Sequence, residues 1–136
     1  MAIIGHLIGI CFFGAIAASG FTLTVQIMYW LGVACMFFVA SGNYLNAQHG
    51  MNRLSQNKPL PKELETILPV LRTMNFDVKC VHVLFANVVH AVIALQLAHA
   101  PILAAFIMIA ACTGIVTYQK LKEMMKHVEN DSRYQQ

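Results

Sequence analysis

The chain has 136 residues, of which 58 % are hydrophobic and 11 % charged, with a formal net charge of +3 and a mean hydropathy of +0.62. Ordinary soluble domains carry about 25 % charged residues, so too little charge remains here to coat a soluble surface. The positive charge forms no basic cluster interleaved with aromatics, and nucleic acid is therefore not an expected partner.

Charge is distributed as unevenly as it is scarce. Met1 to Ser41 contains no Asp, Glu, Lys or Arg, and neither does Val81 to Gln119. A helix crosses ~30 Å of hydrocarbon with roughly 20 residues, so each block is long enough for two crossings and too long for one. The fold expected is all-α: an integral membrane protein with four transmembrane helices as two antiparallel hairpins, and an amphipathic helix in the central loop. The parts are residues 1–41 (first hairpin), 42–77 (cytoplasmic loop), 78–119 (second hairpin) and 120–136 (charged cytoplasmic tail).

In chain order, the first span is expected over Ala2–Ala18. Ala17-Ala18-Ser19 resembles a signal-peptidase site, yet no Lys or Arg precedes the apolar run, so the segment reads as a retained helix. Gly5 and Gly9, four apart, suit close helix packing. After the break at Ser19-Gly20-Phe21 the second span covers Thr22–Ser41, and its aromatics Tyr29, Trp30, Phe37 and Phe38 read as lipid-facing or core residues.

The polar, glycine-bounded run Gly42–Gly50 then marks the exit from the membrane. Asn43, Asn46, His49 and Arg53 concentrate hydrogen-bonding groups there and are candidates for the membrane surface. Pro59 and Pro61 break regularity, and Lys62–Asn75 reads as an amphipathic helix on Leu64, Ile67, Leu68, Leu71 and Met74. Pro69 removes one backbone hydrogen bond and is expected to kink or split it near Leu68. The third span runs over Val78–Ala98, His99-Ala100-Pro101 forms a tight turn, and the fourth span covers Ile102–Tyr118, continuing helically to about Glu129 before fraying through Asn130-Asp131-Ser132.

Basic residues are retained on the cytoplasmic side. They sit in the central loop (Arg53, Lys58, Lys62, Arg72, Lys79) and after the fourth span (Lys120, Lys122, Lys126, Arg133), which places both termini and the loop on the cytoplasmic side of a bacterial inner or plasma membrane, or on the matrix side of an organellar one. The cysteines Cys11, Cys35, Cys80 and Cys112 stand singly and read as small apolar packing residues.

No Asp, Glu or Arg lies within a span, which argues against ion-coupled transport by this chain alone. The histidines are the strongest lead to chemistry. A pair from different helices, such as His6 with His82, suits axial ligation of haem b, as would His90 with a histidine of another chain. Cys80, Val83, Asn87, His90, Ala91, Ala94 and Ala98 share one broad face of the third span, and His82 falls off it. The simpler role for Asn87 and His90 is hydrogen bonding between helices or to backbone carbonyls, with Ala91, Ala94, Ala110 and Gly114 allowing close approach. No ligand spacing for a metal appears, and no phosphate loop, nucleophile elbow or Cys-His pair.

These readings favour a non-catalytic membrane subunit or assembly factor without a cofactor, its partners being the lipid bilayer and other membrane subunits or further copies of itself. A haem b electron-transfer subunit and a small oligomeric pore lined by Thr22, Gln26, Asn87, Gln96 and Thr113 are the competing readings.

Overall fold

The computed structural model describes residues 22–96 and 99–135. Among them are four α-helices, α1 (Thr22–Ser55), α2 (Lys62–Thr73), α3 (Phe76–Gln96) and α4 (Pro101–Glu129), followed by a 3-10 turn over Ser132–Tyr134, and no strand. α1, α3 and α4 are each long and apolar enough to cross a membrane. The expected first span and its glycines Gly5 and Gly9 lie outside the described residues.

α4 is the central element, packed against α1 on one side and α3 on the other. Small residues make this close approach possible: Ala104, Ala110 and Ala111 on α4 are buried, as are Ala91 and Ala94 on α3. A side chain added at Gly114 would meet Val83 of α3 at an ordinary contact distance of 3.4 Å. The apolar core of this half joins Val25, Tyr29 and Val33 of α1 to Ile93 and Ala94 of α3 and to Leu103 and Ile107 of α4.

A second core lies at the charged end, where Ala47 and Leu54 of α1, Leu64, Leu68 and Leu71 of α2, and Leu121, Met124, Met125 and Val128 of α4 cluster with Leu60 and Phe76. This core explains two departures from the sequence expectations. The polar stretch from Gly42 to Arg53, read as a surface loop, is helix, and α1 runs unbroken for 34 residues, ~51 Å at the α-helical rise. No proline interrupts it, its backbone groups are satisfied in the helical ladder, and Ala47, Gly50 and Leu54 are buried against the second core. α2 is likewise continuous through Pro69. Leu64 and Leu68 before the proline and Leu71 after it are buried in the same cluster, which holds both halves in line despite the missing hydrogen bond.

α1 ends in a double-bonded cap. Asn57 adopts a left-handed conformation with φ of 55°, its N–H donates to Leu54 O at 3.0 Å, and the N–H of Lys58 donates to Arg53 O at 2.9 Å. This is the pattern in which glycine usually occupies the left-handed position, and asparagine is the next most tolerant residue.

The tail does not fray. α4 ends at Glu129 as expected, after which the chain folds back on the base. Arg133 donates from Nη1 to Asn57 O at 3.0 Å. The Tyr134 hydroxyl accepts from the N–H of Leu60 at 2.9 Å and donates to Glu65 at 3.1 Å, while Arg72 donates to the Tyr134 carbonyl. Residues 131–135 thereby tie the α1–α2 connection and α2 to the end of α4.

Candidate functional site

The polar side chains of the apolar half are few, and most are engaged with one another or with backbone. Tyr29 on α1 is buried, and its Oη lies 2.7 Å from Nδ1 of His90 on α3. The hydroxyl donates to the ring nitrogen in one tautomer and accepts from it in the other. The rings also meet edge to face, with centroids 5.3 Å apart. Sequence reasoning put His90 on one face of its helix with Asn87 and treated Tyr29 as an apolar aromatic, because nothing in the spacing of α1 pairs it with a residue 61 positions away.

Asn87 is buried, and its Nδ2 donates to Val83 O of its own helix at 2.8 Å. The amide nitrogen thus bonds to a backbone carbonyl of its own helix, one turn earlier. Thr117 on α4 makes a further interhelical tie, and the sequence reading missed it. Its buried hydroxyl shares one proton between Ala40 O of α1 at 3.0 Å and Thr113 O at 2.9 Å. Its signal was there: Ala110, Gly114, Thr117 and Leu121 recur at helical spacing on one face of α4. Thr113 donates to Ala110 O at 2.7 Å, and the Cys80 thiol points to Ile115 O at 3.9 Å.

The candidate haem ligands are not gathered into one site among the described residues. His6 lies outside them. His82 is half-buried on α3, two turns from His90, and one ring nitrogen of His90 already faces Tyr29. No three His, Cys, Asp or Glu side chains of the described residues come together as a metal site.

The surface residues separate as well. Asn43, Asn46 and His49 are exposed along α1. Arg53 is half-buried, and its Nε donates to Pro59 O at 2.7 Å, so it braces the α1–α2 turn. Lys122 reaches Asp77 at 2.6 Å and links α4 to the start of α3, while Lys120 pairs with Glu123 at 3.0 Å. On the tail, hydrogen bonds from the Arg133 side chain and backbone hold the Asp131 carboxyl well below its ordinary value, at about 2.

Two apolar grooves flank α4 near the charged end. One, of about 340 Å³, lies between α1 and α4, with Val83 of α3 at its edge, and is lined by Cys35, Val39, Asn43, Gly114 and Tyr118 among others. The second, of about 480 Å³, runs between α1 and α4 past Tyr44, Cys112 and Thr113.

Among the described residues, the fold is helical, with three helices long and apolar enough to cross a membrane. Compared with known protein families, with curated proteins and with solved structures, the chain matches none.

Proposed function

We propose that this chain is a non-catalytic subunit or assembly factor of a larger membrane complex, crossing the bilayer four times as two hairpins with both termini and the central segment on the cytoplasmic or matrix side. The observation that carries the reading is the division of polar and apolar surface. Tyr29, Asn87, His90 and Thr117 turn inward to one another or to backbone, while Leu23, Leu31, Phe38, Val39, Val81, Phe85 and Ile102 are exposed on the outside. Such a surface suits lipid and neighbouring helices.

The sidedness rests on charge. Every Asp, Glu, Lys and Arg lies between Arg53 and Lys79 or beyond Gln119, and those segments share the second core. All nine Lys and Arg residues fall in these segments, the bias expected of the retained side of a membrane.

The test is mild solubilisation, purification through this chain, identification of co-purifying proteins and an absorption spectrum of the same sample. Stoichiometric membrane partners in a colourless sample are expected. A reduced-minus-oxidised haem signal lost on His82→Ala would replace this reading with the electron-transfer one.

A further inference from the structure

We infer that the basic pocket between α2 and α4 at the charged end binds a phosphoryl group, held by Arg72 from one helix and by Lys122 and Lys126 from the other.

The pocket has a volume of about 200 Å³, and its lining gathers three cations and one carboxylate, Glu129. Arg72 comes from the last turn of α2, and the two lysines come from α4. Leu71 and Met125, both buried in the second core, also line it, so the charged groups stand on a packed apolar base. Phe76, at the start of α3, adds a further wall.

The electrostatics of this lining favour an anion. Lys122 and Lys126 are four residues apart on one face of α4, where like charges repel each other. Lys122 is anchored on both carboxylate oxygens of Asp77 at 2.6 Å. Arg72 is anchored as well, since one of its N–H groups donates to the Tyr134 carbonyl, which orients the guanidinium without using up its five donors. Lys126 belongs to no ion pair among the described residues. With Asp77 and Glu129 both set against the three cations, a positive charge remains.

A phosphoryl group suits this arrangement better than a carboxylate. Its oxygens point in tetrahedral directions, so they can accept from an arginine fork and from ammonium groups of a second helix together. A carboxylate offers two oxygens in one plane. A phosphate monoester also carries a charge of about −1.5 to −2 at pH 7, enough to offset the repulsion between the lysines. A water occupies roughly 30 Å³ of liquid, so the pocket has room for the phosphoryl group and a few attached atoms. The group could be carried by a soluble monoester or by the headgroup of a phospholipid, and the chemistry of recognition is the same.

The test is calorimetric titration of the full chain in neutral detergent micelles, with glycerol 3-phosphate as the soluble probe and dioctanoyl phosphatidic acid as the lipid one. Saturable binding of one probe molecule per chain is expected. Lys126→Gln should weaken it at least about fivefold; Lys126 is exposed, so this change leaves the core untouched. Arg72→Gln should weaken it as much, whereas Lys58→Gln, outside the pocket, should leave it unchanged. Glycerol 3-phosphate binding at least as tightly as phosphatidic acid assigns the site to a soluble monoester. Phosphatidic acid that millimolar glycerol 3-phosphate does not displace assigns it to a lipid headgroup. Absence of saturable binding by either probe, wild-type affinity in Lys126→Gln, or equally effective displacement by acetate overturns the inference.

Discussion

At Tyr29 and His90 one hydrogen bond and one edge-to-face ring contact fall on the same pair of side chains. Polar pairs between membrane helices are worth about 0.6 kcal/mol on average and up to about 1.7 kcal/mol, and the aromatic contact adds to this one. In a double-mutant cycle of Tyr29→Phe and His90→Ala, read by unfolding in mixed micelles, the coupling between the two sites should come out at about 1 kcal/mol. A coupling near zero would show that the two residues merely adjoin. Thr117 differs in kind, because its hydroxyl has a second acceptor in its own helix at Thr113 O. Thr117→Val should therefore cost less than about 1 kcal/mol. His90 stood out in the sequence as an ionisable side chain within an apolar helix. Tyr29 and Thr117 did not, because the choice among aromatics and hydroxyls on one face depends on which neighbour lies opposite.

Among the helices, two glycines of α1 carry opposite expectations. At Gly42 an added Cβ meets nothing within 4 Å, whereas at Gly50 it would come within 2.8 Å of Leu64 and 2.9 Å of the Met124 sulfur. Gly42→Ala should raise helix stability by about 0.5–1 kcal/mol, since only the backbone entropy of glycine is removed. Gly50→Val should lower it by about 1–3 kcal/mol, the usual cost of overfilling a packed core. Equal melting shifts for the two variants in detergent would contradict the close approach at Gly50. This contrast was hidden in the sequence, where both glycines bounded the same polar run and read alike as loop residues. The helical reading of that run was lost for the same reason: Asn43, Asn46, Gln48 and His49 are indifferent helix formers, and burial of Ala47, Gly50 and Leu54 decides their state.

Across the whole molecule, the base is closed by its last residues. Arg133 donates to Asp131 and to Asn57 O, and Tyr134 bridges Leu60 and Glu65. The Asp131 carboxyl is held at about 2, below its ordinary 3.8, by hydrogen bonds from Arg133. A depressed carboxylate stabilises the folded form above its unfolded value and loses that contribution as pH falls through its folded one. The tail contact should thus be at full strength above about pH 4 and fade towards pH 2. Carboxyl NMR of the protein in micelles should give an Asp131 midpoint near 2, moving up towards 3.8 in Arg133→Gln; an unmoved midpoint would remove Arg133 as the cause.

Hydropathy and the placement of charge by themselves determined that the chain is helical, that its long apolar segments suit a membrane and that its charged residues fall between and after those segments. Those are one-dimensional properties: a 20-residue uncharged run excludes other structures because its backbone must satisfy itself where water is absent. The tertiary structure alone decided that α4 is the centre, that α1 extends its full length into the charged end, that Pro69 does not divide α2, and that the tail clasps the base instead of fraying. Each depends on contacts between residues far apart in the chain, such as Gly50 with Met124 or Leu60 with Tyr134. Local propensity near these positions is weak, so the side chain that fills the facing space determines the outcome.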